Sequence, residues 1–189
     1  MNITQVIYSI KSAFLKWFSD ILFYKTPLWF LFGKTSYNIS GVDSRNIINI
    51  LRPGDILLRR YDHYISGLMI PGYFTHTALY VGDNDVIHML GSGICREDIL
   101  TFLRCDDIQV LRHSDPTKID KVIQKAIWYL GEKIPYDYSF NFQLQDKFSC
   151  TEMVDNCYDH FEFTSKKMKD IISPDDFLNV KELICIWKK

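Results

Sequence analysis

Apolar residues open the chain at helical spacing: Ile3, Val6, Ile7, Ile10, Phe14, Trp17, Phe18, Ile21 and Leu22, with Ser9, Ser12, Lys16, Ser19 and Asp20 mostly on the other side. That period predicts an amphipathic helix over residues 3–23. Pro27, which lacks a backbone N–H, ends or re-aims it. "PLWFLFGK" follows, and the polar run from Thr35 to Asn46 reads as a linker. The pattern then changes. "RPGDILLRR" is a turn leading into a strand over Asp55–Arg59, and "HYISGLMIPGYF" is ambiguous, with a short helix closed at Pro71–Gly72 as one reading.

Strands are predicted at 75–81 and 86–90 around a Gly-Asp-Asn-Asp turn. "REDILTFL" predicts a short helix, "DIQVLRH" a strand, and Pro116 opens a helix that runs to Gly131. "IPYDYSFNFQLQDKF" is an aromatic loop. "SCTEMVDNCYDHF" has helical spacing, and Ser149 with Glu152 three residues later makes a capping box. "SPDDFL" starts a further short helix with Pro at its first position, and "ELICIW" closes as a strand. A strand cluster flanked by helices predicts the α+β class. The expected organisation is an aromatic-rich helical extension over residues 1–50 and one catalytic-sized domain over 51–189.

Composition narrows the function classes. At 189 residues, 47% of them hydrophobic, the chain can bury a sizeable core. A net charge of −1 with scattered Lys and Arg carries no footprint for nucleic acid, so no nucleic-acid partner is expected. Five cysteines without a CxxC pair suit a reducing compartment better than a disulfide framework. The most apolar stretch, "FLKWFSDILFYKTPLWFLFG", is interrupted by Lys16, Asp20, Lys25 and Pro27. A spanning helix needs about 20 uninterrupted apolar residues. No Sec signal is evident either, and the expectation is a cytoplasmic chain, with peripheral membrane contact through residues 3–33, or one exported by another route.

Two residues types could carry chemistry. The capping box puts the Cys150 thiol at the first position of a helix, where free N–H groups and the dipole stabilise a thiolate. Cys150 is therefore expected to have a depressed pKa and to be the most reactive of the five thiols. Cys157 reads as a buried hydrophobe, and Cys95, Cys105 and Cys185 have no comparable setting. A thiolate still needs a base, for which His76 is the candidate, with a second polar residue to fix its tautomer.

"LRPGDILL…THTALYVGDNDVIHM…SCTEMV" resembles the circularly permuted branch of the NlpC-type papain-like superfamily, in which the histidine strand precedes the cysteine helix. "RPGD" followed by H-x5-G-D-x4-H is similar to the lecithin:retinol acyltransferase-like group. The "CTEMV" context resembles the bacterial YiiX/YebB-like and poxviral members, which usually carry Glu where this chain has His88. The resemblance spans roughly residues 51–160. It implies a permuted papain-like fold, an antiparallel sheet carrying the histidines packed on a helix that starts at the cysteine. It also implies Cys150 as nucleophile, His76 as general base and acid, His88 as orienter, and the Cys150 N–H in an oxyanion hole. Tyr136 or Tyr138 would line the substrate pocket, Asp55 would cap a turn, and Glu152 would only cap its helix. No cofactor is implied. A zinc site from His76, His88 and Cys150 is the runner-up for the same residues. His63, His113 and His160 read as surface or core.

The hairpin poses a geometric problem. A two-residue turn at Asp83–Asn84 pairs Gly82 with Asp85 and sends the histidines to opposite faces. A three-residue turn returns them to one face, but four residues, or about 13 Å, apart along the strands. A working pair therefore requires a bulge, a strong bend or a shifted register.

The expected function is a thiol-dependent hydrolase or acyltransferase working through an acyl-enzyme, with a lipid acyl substrate favoured by His88 and the amphipathic N-terminus. The alternatives are an amidase or peptidase on peptide or peptidoglycan-like amides, and a catalytically inactive papain-like binding module.

Overall fold

The computed structural model describes residues 21–24, 29–32, 37–62, 70–137, 146–163 and 171–189. The chain divides into two units, residues 1–37 and 38–189. In the first, β1 (Ile21–Tyr24) and β2 (Trp29–Phe32) pair antiparallel, with Ile21 opposite Phe32 and Tyr24 opposite Trp29. Residues 21–23, expected at the end of a helix, are thus extended. Aromatic and β-branched residues flank Pro27 here, a composition that favours a paired strand over a continuing helix. The helix expected over residues 3–20 lies outside the described residues.

The second unit is built on one antiparallel sheet. Its strands are β3 (Ile56–Arg60), β4 (His76–Gly82), β5 (Asp85–Leu90), β6 (Gly93–Asp98), β7 (Asp107–His113) and β8 (Leu183–Lys188), in the spatial order β6-β5-β4-β3-β7-β8. The helices are α1 (Gly41–Ile50), α2 (Ile99–Phe102), α3 (Ile119–Glu132) and α4 (Cys150–Cys157). Short 3-10 turns at Pro116–Lys118 and Pro174–Asn179 complete the set.

Both faces of the sheet are buried, which is why β3 reads as an apolar run rather than an alternation. One face, with Ile56, Leu58, Leu79, Ile87 and Met89, packs on Val122 and Ala126 of α3 and Met153 and Val154 of α4. The other, with Leu57, Ala78, Val86, Ile108 and Val110, packs on Ile47 of α1 and Ile99 and Phe102 of α2. Asp55 caps the turn before β3, accepting the Arg52 N–H at 2.7 Å while its carboxylate is gripped by Arg112.

Two elements of this unit differ from the sequence expectation. The run read as a linker contains the start of α1, whose Ser40 and Asp43 form a capping box. Only Ile47 of that helix is buried, so its apolar period is weak. Residues 96–98, expected to open a helix, are the end of strand β6, because "GICRED" pairs with β5 from Leu90–Gly93 to Asp85–Asp98. The helix shrinks to four residues behind an Asp98 cap. The segment 63–69, where the ambiguous short helix would fall, lies outside the described residues; after it the Asp175 carboxylate holds the Tyr73 and Phe74 N–H groups at 2.7 and 2.8 Å.

Candidate active site

The hairpin resolves its own conflict. Asp83 and Asn84 form a two-residue turn, both at positive φ (53° and 62°), as a type I′ turn requires. Gly82 pairs with Asp85, a register that by itself would separate the histidines. The ladder then shifts between Gly82 and Tyr80, leaving Val81 as the extra residue of a β-bulge. Beyond it His88 stands opposite Ala78, diagonal to His76 and on the same face. His76 Nε2 and His88 Nδ1 lie 2.8 Å apart, with the rings near perpendicular at 81°.

The pair sits on the α2 face of the sheet, where Phe102 meets the His88 ring edge-on at 5.4 Å between centroids. His88 is fully buried. Its second nitrogen, Nε2, lies 3.3 Å from Cys95 Sγ, directly opposite on β6, and 3.6 Å from Glu97 Oε2. Arg59, the cross-strand neighbour of His76, stacks its guanidinium 4.0 Å over Phe102 and approaches Glu97 Oε2 at 3.7 Å. Burial, and then the Arg59 charge, depress His88 to about 3. His76 is held well below the usual imidazole range by burial, by Arg59 and by His88. Both rings are therefore neutral at physiological pH.

Cys150 begins α4 as the capping box predicts. The Ser149 hydroxyl accepts the Glu152 N–H at 3.3 Å, and the Glu152 carboxylate accepts the Ser149 N–H at 2.6 Å. The N–H groups of Thr77, Thr151 and Cys150 all favour the thiolate, but burial outweighs them and pushes the thiol up to about 11. The expectation of a depressed thiol pKa fails here: a helix start stabilises a thiolate, and a helix start buried in an apolar core costs more than it returns. The thiol belongs to the core on the α3–α4 face, whereas the histidines lie on the α2 face. Strand β4 joins them, since Thr77, whose N–H serves the sulfur, follows His76 directly. Among the described residues no hydrogen bond links Cys150 Sγ to either histidine.

An apolar cleft of about 110 Å³ opens beside the thiol, walled by Ile70, Pro71, Tyr136, Cys150, Ile172 and Pro174. Tyr136 thus shares a cleft with the cysteine; Tyr138 lies outside the described residues, as does His63. His113 stacks on Tyr158, and His160 binds Asp155 at 2.9 Å, both away from the site. Sequence reasoning missed Arg59, Cys95 and Glu97. The last two become visible once "GICRED" is read as a strand, because residues 93, 95 and 97 then share one face.

The donor set does not suit a metal. Nitrogens bound to one tetrahedral zinc at about 2.0 Å each stand about 3.3 Å apart. The 2.8 Å between His76 and His88 is a hydrogen-bond distance. Among the described residues no group of three His, Cys, Asp or Glu is placed to hold a metal ion, so the zinc reading of His76, His88 and Cys150 does not fit.

A family profile of permuted papain-like amidase enzymes, the YaeF/YiiX or C92 family, matches residues 50–182. The chain belongs to this family. Its fold agrees with that placement. The crystal structure of the metalloprotein yiiX from Escherichia coli O157:H7 (DUF1105) superposes with a TM-score of 0.58 at 20% identity, over 73% of this chain and 97% of that one. At that identity the likeness speaks for the fold alone, which is α+β and permuted papain-like. No curated protein matches the chain. Membership in the C92 family supports an enzyme of the thiol hydrolase, amidase type.

Proposed function

We propose that this C92-family protein hydrolyses an amide or ester through an acyl-enzyme on Cys150, with His76 as base and acid and His88 as its orienter. The observation that carries the reading is the 2.8 Å His76–His88 hydrogen bond, mounted on the strand that also meets the Cys150 thiol. His88 engages Nε2 of His76, so Nδ1 is the nitrogen left for the thiol. Thiol and imidazole, unbonded at rest, come together when substrate fills the cleft, since catalytic hydrogen bonds commonly form only in the substrate complex.

The protonation states set the order of events. A thiol raised to about 11 and a neutral imidazole do not form an ion pair at rest. His76 takes the thiol proton as the Cys150 sulfur attacks the carbonyl carbon. The oxyanion is received by the Cys150 N–H, which is free of an intrahelical partner at the first position of α4. Collapse breaks the bond to the leaving amine or alcohol, to which imidazolium His76 returns the proton. Water, deprotonated by His76, then attacks the thioester and frees the thiol. A second substrate in place of water would make the same site an acyltransferase.

The family favours amides, whereas the cleft favours an apolar acyl group because its walls are Ile, Pro and Tyr side chains. A lipid-derived acyl substrate combines the two, with peripheral membrane contact through residues 3–33 bringing the site to it. A peptide amide with an apolar acyl-side residue is the second reading, supported by the family. Paired fluorogenic substrates, a long-chain acyl ester and an acyl-peptide anilide, test this. Turnover with a mass-spectrometric acyl adduct on Cys150, absent in Cys150→Ala, supports the reading. Undiminished turnover in Cys150→Ala overturns Cys150 as the nucleophile, and the absence of both turnover and adduct with either substrate overturns the reading in favour of a binding module.

A further inference from the structure

We propose that Glu97 is a positioning residue that fixes the tautomers of both histidines, so that the proton-handling unit ends on a carboxylate one strand beyond the pair. The proposal rests on the reading of His76 as base. The unit takes one side chain from each of three neighbouring strands: His76 on β4, His88 on β5 and Glu97 on β6.

A neutral imidazole carries one N–H. Between His76 Nε2 and His88 Nδ1 there is therefore one proton, and it belongs to one ring or the other. If His88 Nδ1 held it, the bare Nε2 lone pair of His88 would point at the Glu97 carboxylate, 3.6 Å away. His76 would then carry its own proton on Nδ1 and have no lone pair for the thiol. If His76 Nε2 holds it, His88 accepts at Nδ1 and donates from Nε2 toward Glu97. His76 Nδ1 is then bare and basic. Cys95, 3.3 Å from the same Nε2, does not decide between the two arrangements, since a thiol both donates and accepts. A carboxylate only accepts.

The groups facing His88 are Arg59 from β3, His76 from β4, Cys95 and Glu97 from β6, and the uncharged Phe102 from α2. Arg59 is fixed by a 3.2 Å hydrogen bond from Nη1 to the Phe102 carbonyl and by its stacking on that ring. It holds Glu97 in place and opposes charge on either imidazole. Glu97, whose side chain is 27% exposed, offsets that opposition when His76 becomes imidazolium during the reaction.

Long-range 15N–1H spectra of the imidazoles read the tautomers directly, without substrate. In the wild type His76 and His88 should both carry the proton on Nε2. In Glu97→Ala the His88 proton should move to Nδ1 in a detectable fraction, and kcat should fall about tenfold or more with KM little changed. Glu97→Gln can still accept through its amide oxygen, so it should keep the wild-type tautomers while the acid limb of its kcat/KM profile moves to lower pH. Wild-type tautomers and kcat in Glu97→Ala overturn the proposal. His76→Ala separates it from the reading beneath: full turnover in that variant, with tautomers that still respond to Glu97, overturns the assignment of the base and leaves the role of Glu97 standing.

Discussion

The N–H groups of Thr77, Thr151 and Cys150 itself favour a thiolate, yet burial leaves the thiol protonated at neutral pH. Cys185, by contrast, is exposed. Mild iodoacetamide at pH 7 should therefore modify Cys185 first, reversing the order expected from helix-start placement alone, and Cys150 should gain rate steadily as pH rises toward 11. Peptide mass spectrometry reads the order; Cys150 labelling ahead of Cys185 at pH 6 would reveal a preformed ion pair instead. The histidines give a pH effect of defined sign. His88 titrates near 3 in the folded chain and near 6.5 in the unfolded one. Its contribution to stability is complete above pH 6.5 and is lost as pH falls toward 3, where the unfolded chain binds a proton that the folded chain refuses. Between pH 6.5 and 5.5 the wild type should lose about 1 kcal/mol more than His88→Gln in urea unfolding. An equal loss in the two proteins would show that His88 is not held neutral.

The hairpin between β4 and β5 carries the main lesson at the scale of elements. Its strands, its turn residues and the need for a bulge were all legible in "THTALYVGDNDVIHM", because a period of two makes register a matter of counting. Where the extra residue would sit was not legible, since Val81 is apolar and fits either side of the ladder. The capping box at Ser149 and the Pro174 start of the turn after Ser173 were equally readable, being local chemistry. Strand β6 and helix α1 were not. The first owes its extension to pairing with β5, and the second buries a single residue, so neither imprints a period on its own segment. Glu97 stayed hidden with β6. The turn offers a direct check on the hairpin's role. Asn84 at a φ of 62° tolerates the left-handed region that β-branched residues resist. Asn84→Val should cost about 1–2 kcal/mol in urea unfolding, and Asn84→Gly should cost little or stabilise. If Asn84→Val also loses turnover while Asn84→Gly keeps it, the turn sets the histidine register as well as the stability; equal stability of the two variants would contradict the left-handed turn.

For the whole molecule, the question is whether residues 38–189 need anything that precedes them. The sheet in that unit has helices on both faces, α3 and α4 on one and α1 and α2 on the other, so each face already has its apolar cover. Phe102, Phe177, Leu57 and Leu79 are fully buried in it. A chain beginning at Asn38 should therefore fold with a single cooperative urea transition, since one domain of this length ordinarily unfolds in one step. Residues 3–33 would then be free for a task other than closing the core. Their sequence is rich in aromatic and aliphatic residues, and that composition is the basis of the proposed peripheral membrane contact. Co-sedimentation with vesicles of neutral and anionic lipid should carry down the full chain and leave the truncated one in solution. Retention of both chains in solution would end the membrane reading and leave His88 and the apolar cleft beside Cys150 as the support for a lipid substrate. A truncated chain without a cooperative transition would show that the N-terminal stripe completes the core.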